Sequence, residues 1–393
     1  MIDWRPDVLG EGFECTDIDL GEDAEGPLCA TLVRSLPQPL GFWARLLRRE
    51  RELEGCDVLY VHGWSDYFFQ TRLAKFYTDR GARFFALDLR KYGRSLREGQ
   101  TPGYIEHLDE YDEEIDAAVS IIRGFDGEVR GVEEAAEDGD VRALAVEDAA
   151  AVSVEAAIEG GVERGTGPVD GTRIARRRRL LLLGHSTGGL VLSLWADRHR
   201  GEADAIVLNS PWLELQLSGA ARRALLPMVN VRARLSPHEI ALPQLDMGFY
   251  AQAQEGCNTP EELALINHDW RPQQTLPVRA AWLRAIIEGH TKVDAGIDVG
   301  APVCVLLSAR SQFGLNWNDA MLRADTVLEV EAVARAALKL GPSVAVERID
   351  GALHDVFLSE AGVRADAYSR MERWLLGWRT WSLRAEAGSR VAS

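Results

Sequence analysis

Four leucines, Leu180–Leu183, run into Gly184-His185-Ser186-Thr187-Gly188-Gly189 and then into an apolar, helix-compatible stretch from Leu190 to Trp195. The run has the form of a buried strand, a sharp turn and a helix, with Ser186 at the apex. Gly184-x-Ser186-x-Gly188 is the nucleophile-elbow signature: glycine flanks the serine because side chains there would collide with the backbone of so tight a turn. In this context Ser186 Oγ is expected to project from the carboxyl edge of a parallel sheet. The first amides of the helix, beginning at Thr187, would face a developing oxyanion. The chemistry that such a serine performs is nucleophilic attack.

A serine hydroxyl attacks only when a base removes its proton, and the usual base is a histidine oriented by a buried carboxylate. On this strand-turn-helix arrangement both partners come later in the chain, the acid before the histidine, on loops at the same sheet edge. His354 fits the base, because Gly351-Ala-Leu-His354-Asp355 follows the last apolar strand run, Val344 to Ile349. The other seven histidines fit less well. His62 and His185 belong to backbone-shaping motifs, and His107, His199, His238, His268 and His290 miss the late-strand position.

The acid should follow the strand run Val303 to Leu307. The loop there is long and offers two carboxylates, Asp319 and Asp325. Asp325, directly before Thr-Val-Leu and a helical pattern, is the better fit; Asp319 stays open as a surface or helix-capping residue or as the alternative acid. A second oxyanion donor is expected from His62-Gly63-Trp64, which ends another strand run. Gly63 would let the chain turn closely and the Trp64 amide would pair with that of Thr187.

These residues need a scaffold that brings strand ends together. Short apolar runs recur at Leu28–Val33, Cys56–Val61, Arg83–Leu87, Leu180–Leu183, Ala205–Leu208, Val303–Leu307 and Val344–Ile349. Helical patterns fit Tyr67–Arg80, Leu108–Arg123, Leu190–His199, Val327–Leu340 and Arg364–Trp378. Strands and helices in alternation imply a mostly parallel sheet covered on both faces.

Two stretches break that rhythm. Asp126–Asp170 has 13 acidic residues, 3 basic ones and no aromatic, too little apolar surface to build a core; it reads as a mobile acidic insertion over 126–179. The stretch from 211 to 297 holds Trp212, Phe249, Tyr250, Trp270 and Trp282, with prolines at 227, 237, 243, 260, 272 and 277. It reads as a helical lid over the Ser186 edge. Most of its aromatics should pack, and a few should line a pocket. The core is then 1–125, 180–210 and 298–380, with a tail over 381–393.

At 393 residues, 46% hydrophobic and 27% charged, the composition is that of a globular chain. A net charge of -17 argues against nucleic acid or an anionic membrane as a partner. No apolar run reaches the ~20 residues of a bilayer span. The N-terminus lacks a secretion-signal pattern, and five scattered cysteines point to reduced thiols, so a cytoplasmic protein is expected. Neither metal-site spacing nor a cofactor motif is apparent.

Together, Val61–Phe68, Leu87–Ser95, Gly184–Gly189, Ala324–Leu328 and Gly351–Asp355 resemble the α/β-hydrolase fold. The resemblance is specifically to its monoacylglycerol-lipase, lysophospholipase and serine-aminopeptidase-like branch, over about 28–125 and 180–378. The resemblance implies Ser186 as nucleophile, Asp325 as acid, His354 as base, Trp64 and Thr187 as oxyanion amides, and a structural role for Asp88 and Arg94. It implies a cofactor-independent hydrolase that cleaves a small-molecule carboxylic ester, a lipid-like or medium-chain acyl ester of monoacylglycerol or lysophospholipid type, through an acyl-enzyme intermediate. An amidase or aminopeptidase using the same residues is the first alternative, and a non-catalytic binding protein on the same fold the second. The acyl chain, the alcohol and the oligomeric state are not legible.

Overall fold

The computed structural model describes residues 2–41, 51–125, 177–215, 219–241 and 247–391. The chain divides into two compact units. One comprises Met1–Val119 and Arg179–Ser393, the other Ser120–Arg178. In the smaller unit only 120–125, which is helical, and 177–178 are described. The acidic stretch expected to be a mobile insertion lies outside the described residues.

The larger unit is built on a sheet of nine described strands. They are β1 (Arg5–Pro6), β2 (Glu14–Asp23), β3 (Gly26–Ser35), β4 (Cys56–Val61), β5 (Arg83–Asp88), β6 (Arg179–His185), β7 (Ala205–Asn209), β8 (Val303–Ser308) and β9 (Val344–Ile349). Their spatial order is β1-β2-β3-β5-β4-β6-β7-β8-β9. The pairs from β1 to β5 through β2 and β3 are antiparallel, and every pair from β5 to β9 is parallel. Every residue of β4, β5, β6 and β8 is buried, so both faces of the centre are covered. That is why these strands read as unbroken apolar runs and not as alternation. One core packs Val58, Tyr60, Phe84 and Leu183 with Met371 and Trp378 of the last helix.

Four elements differ from those expected, three of them for physical reasons the structure shows. Strand β2 was not anticipated because Asp17 and Asp19 face solvent between buried Ile18 and Leu20, so its apolar content is diluted by half. The helix expected from Tyr67 begins only at Thr71. Tyr67-Phe68-Phe69 is buried as loop, held where the Phe68 amide donates to Asp88 Oδ1 at 2.9 Å. The helix expected over Val327–Leu340 spans Val330–Ala337, because Asp325 caps the preceding turn by accepting from the Val327 and Leu328 amides. The last helix runs Ala361–Val391, through the boundary expected at 380. Between β7 and β8, over the stretch expected to be a lid, the chain forms helices Gly219–Leu235, Phe249–Cys257, Pro260–Leu263 and Ala280–Ala295.

Candidate active site

Ser186 sits between β6 and the helix Thr187–Arg198 with φ 50° and ψ -118°, a strained conformation for a non-glycine residue. Its neighbours hold it there. The Ser186 amide donates to Asn209 O at 3.0 Å, and its carbonyl accepts from the Gly189 and Trp212 amides at 3.0 and 2.9 Å. A Cβ at Gly184 would lie 2.7 Å from Gly189 Cα. One at Gly188 would lie 2.3 Å from His62 O. Both glycines are therefore demanded by backbone approach.

The structure brings Ser186, His354 and Asp325 together. Ser186 Oγ is 3.0 Å from His354 Nε2, and His354 Nδ1 is 2.9 Å from Asp325 Oδ2. With the proton on Nδ1, His354 donates to the carboxylate and its Nε2 accepts from the serine hydroxyl. All three are at least nine-tenths buried. Asp325 Oδ1 is occupied by the Val327 and Leu328 amides at 2.7 and 2.8 Å, so only Oδ2 is directed at the imidazole. Asp319 is exposed at the start of a short 3-10 helix and touches neither residue.

Asp325 stands so far from β8 in sequence because the intervening chain makes an excursion. Ser311 forms a parallel bridge with Asp325, the Asp325 amide donates to Arg310 O at 3.0 Å, and the Gln312 amide donates to Asp325 O at 2.8 Å. The chain leaves at Gln312 and re-enters at Asp325 beside the strand end it left.

Gly63 brings the β4 loop against the serine, where an added Cβ would lie 3.0 Å from Ser186 Cβ. The amides of Trp64 and Thr187 have no acceptor among the described residues. His62 shapes this loop: Nδ1 donates to Gly63 O at 2.8 Å and Nε2 accepts from the Leu89 amide at 3.1 Å. Burial lowers its pKa, as it does that of His185, whose Nδ1 donates to Asn209 O at 3.1 Å. Asp88 and Arg94 pair at 2.8 Å behind the site.

Several residues here were not singled out from the sequence. Asp355, buried beside His354, accepts from Asn209 Nδ2 at 2.7 Å and Gln70 Nε2 at 3.2 Å, while its own amide donates to Tyr250 OH at 3.2 Å. These bonds tie the His354 loop to the end of β7, to Gln70 and to the helix Phe249–Cys257. Its only signal was adjacency to His354. Asp66 and Arg271 form a buried ion pair at 2.8 Å from elements some two hundred positions apart, which no local pattern betrays.

Above Ser186 lies a cavity of about 730 Å³. Its lining includes Trp64, Trp212, Phe249, Tyr250 and Trp282, so four of the five aromatics between β7 and β8 face it. Trp270 instead packs edge-on against Tyr67 at 5.2 Å. Among the described residues no helix is long and apolar enough to cross a membrane, and no group of three His, Cys, Asp or Glu residues is placed to hold a metal ion.

Residues 171–314 match the family model described as serine aminopeptidase, S33. No curated protein matches the sequence. Among solved structures, the monoacylglycerol lipase of Paleococcus ferrophilus superposes with a TM-score of 0.52 at 15% identity, covering 88% of this chain and 99% of that one. A soluble variant of the monoglyceride lipase of Saccharomyces cerevisiae gives 0.54 at 14%, covering 91% and 94%. A carboxyl esterase of Bacillus coagulans gives 0.55 at 12%, covering 93% and 99%. The chain has the α/β-hydrolase fold. Beyond the fold, residues 171–314 are similar to the serine aminopeptidase S33 family.

Proposed function

We propose that this chain is a serine hydrolase that cleaves carboxylic esters of medium or longer acyl chains. The observation that carries the reading is the buried hydrogen-bonded series Ser186–His354–Asp325 at 3.0 and 2.9 Å, beside two backbone amides without acceptors among the described residues. Ser186 Oγ attacks the ester carbonyl while His354 Nε2 takes its proton, and Asp325 holds the imidazole tautomer and stabilises the imidazolium. The Trp64 and Thr187 amides receive the oxyanion. His354 then returns the proton to the leaving alcohol, and water repeats the cycle on the acyl-enzyme, so neither metal nor cofactor is invoked.

The aromatic lining supports an apolar acyl group: each methylene it buries is worth ~0.8 kcal/mol, so kcat/KM should rise with chain length until the space is filled. The five free cysteines, four of them buried, are in keeping with a cytoplasmic protein. The matched family's description favours one second reading, hydrolysis of an amide by the same groups. A panel of p-nitrophenyl esters from acetate to palmitate, with monoacylglycerols and aminoacyl anilides, separates the two. The reading expects octanoate or longer to exceed acetate in kcat/KM. Anilides faster than every ester would replace it with an aminopeptidase.

A further inference from the structure

Between the end of β4 and the Phe68 amide held by Asp88, the chain runs through Trp64, Ser65, Asp66 and Tyr67. Each of these four residues has a partner in the stretch 265–282. The Trp64 indole meets that of Trp282 at 3.7 Å between ring centroids. Ser65 Oγ accepts from the Leu276 amide at 3.2 Å. Asp66 Oδ1 lies 2.8 Å from Arg271 Nε. Tyr67 OH donates to Leu265 O at 3.0 Å and accepts from the Asn267 amide at 2.7 Å, while Trp270 packs edge-on to the Tyr67 ring at 5.2 Å.

The two oxyanion amides have different kinds of support. Thr187 N–H opens the helix Thr187–Arg198, whose own turns fix it. Trp64 N–H belongs to a loop. His62 secures that loop as far as the Gly63 carbonyl, and Tyr92 meets the Trp64 ring edge-on at 6.0 Å. The next residue, Ser65, has φ 56°, in the left-handed region that non-glycine residues enter at a cost. Such a conformation persists only where the surroundings over-determine it. Around Ser65 they are the Leu276 amide on its own hydroxyl and the Arg271 and Leu265–Asn267 contacts of the two residues that follow.

Building on the ester-hydrolase reading, we infer that the stretch 265–282 is a splint for the oxyanion loop, with Tyr67 and Arg271 as positioning residues that set the Trp64 amide against the developing charge. Neither side chain has to touch the substrate for this. Each acts through the backbone of Ser65, Asp66 and Tyr67. A donor of this kind accelerates the reaction only when it stands at hydrogen-bond distance from the oxygen of the transition state. Loosening the splint therefore weakens transition-state binding and leaves ground-state binding as it was, which lowers kcat at constant KM. A residue that only lines the cavity would raise KM, and one that only stabilises the fold would lower the thermal midpoint with kcat kept.

Tyr67→Phe and Arg271→Met test this on p-nitrophenyl octanoate with two inhibitors. With a trifluoromethyl octyl ketone, Ser186 Oγ adds to the carbonyl carbon as its proton passes to His354, so the carbonyl oxygen becomes an oxyanion. The straight-chain alcohol octanol offers the same chain without one. Each variant should lose about tenfold in kcat with KM kept within about twofold, and the double variant should approach the roughly 10²–10³-fold lost with an oxyanion donor. The inhibition constant of the ketone should rise by the factor that kcat falls, while that of octanol stays within about twofold. Tyr67→Phe removes one hydroxyl from a residue outside the cavity lining, and it decides the matter alone if Arg271→Met, which strands buried Asp66, does not fold. A folded Tyr67→Phe with kcat unchanged, a loss confined to KM, or ketone and alcohol weakened alike would each overturn the inference and leave the ester reading intact. A wild-type protein with neither ester turnover nor fluorophosphonate labelling would remove that reading and this inference with it.

Discussion

Gly188 stands against the carbonyl of His62: a Cβ on Gly188 would lie 2.3 Å from that oxygen and 2.4 Å from Val61 O. The helix that starts after Ser186 and the loop that carries Trp64 are therefore in backbone contact, and the spacing of the serine from the Trp64 amide is set by the absence of one methyl group.

Gly188→Ala should separate these two elements, because both opposing atoms are backbone and cannot swing aside. Overpacking of this kind costs about 1–3 kcal/mol, and the thermal midpoint should fall by several degrees together with ester turnover. Gly377→Ala is the matching control. It lies in the helix Ala361–Val391, its added Cβ would meet nothing within 4 Å, and alanine is the better helix former. Thermal unfolding and initial rates on both variants check this; equal behaviour of the two would contradict it.

Asp325→Asn should lower kcat by about 10⁴, because an amide at that position favours the wrong imidazole tautomer. Asp319→Asn should stay within a few-fold of wild type, since Asp319 is exposed and has no contact with His354. Steady-state rates on one p-nitrophenyl ester compare them, and a crippled Asp319→Asn beside a near-normal Asp325→Asn would reverse the assignment.

The nucleophile turn and the His354 loop were legible because each is a local pattern whose residues are close in sequence. So were the central strands, being apolar on both faces. The choice between Asp319 and Asp325 was not forced by sequence, because it depends on where the loop after Ser311 returns to the sheet. Strand β2 was hidden by its outward-facing acids. The Asp66–Arg271 pair and the Asn209–Asp355 bond join segments far apart in the chain, and only the folded arrangement makes them neighbours.

An ion-pair cluster away from the site should give the fold a pH dependence. Glu25 bonds to Lys91 Nζ at 2.6 Å and to Thr101 Oγ1 at 2.6 Å. Burial works to raise its pKa, but these bonds outweigh it and bring the carboxyl down to about 2. A depressed carboxylate stabilises the fold above its unfolded pKa of about 4.3 and loses that contribution as pH falls toward the folded value. Urea midpoints of wild type and Glu25→Gln should thus differ most near pH 6 and converge near pH 2. A gap that widens on acidification would show that Glu25 is not held as the carboxylate.

The acidic stretch 126–170 should be dispensable for chemistry. It has no aromatic anchor, and every residue proposed to act belongs to the unit formed by Met1–Val119 and Arg179–Ser393. Replacing it with a short glycine-serine linker should keep ester turnover within a few-fold. A folded replacement variant without turnover would tie the stretch to the reaction.

The most direct measurement is covalent capture of the nucleophile. A fluorophosphonate probe, followed by digestion and peptide mass spectrometry, should place the phosphonyl group on Ser186. Ser186→Ala, folded by circular dichroism, should take up no probe and lose ester hydrolysis by several orders of magnitude. Probe found on another serine, or labelling and turnover that persist in Ser186→Ala, would contradict the assignment of Ser186 as the nucleophile.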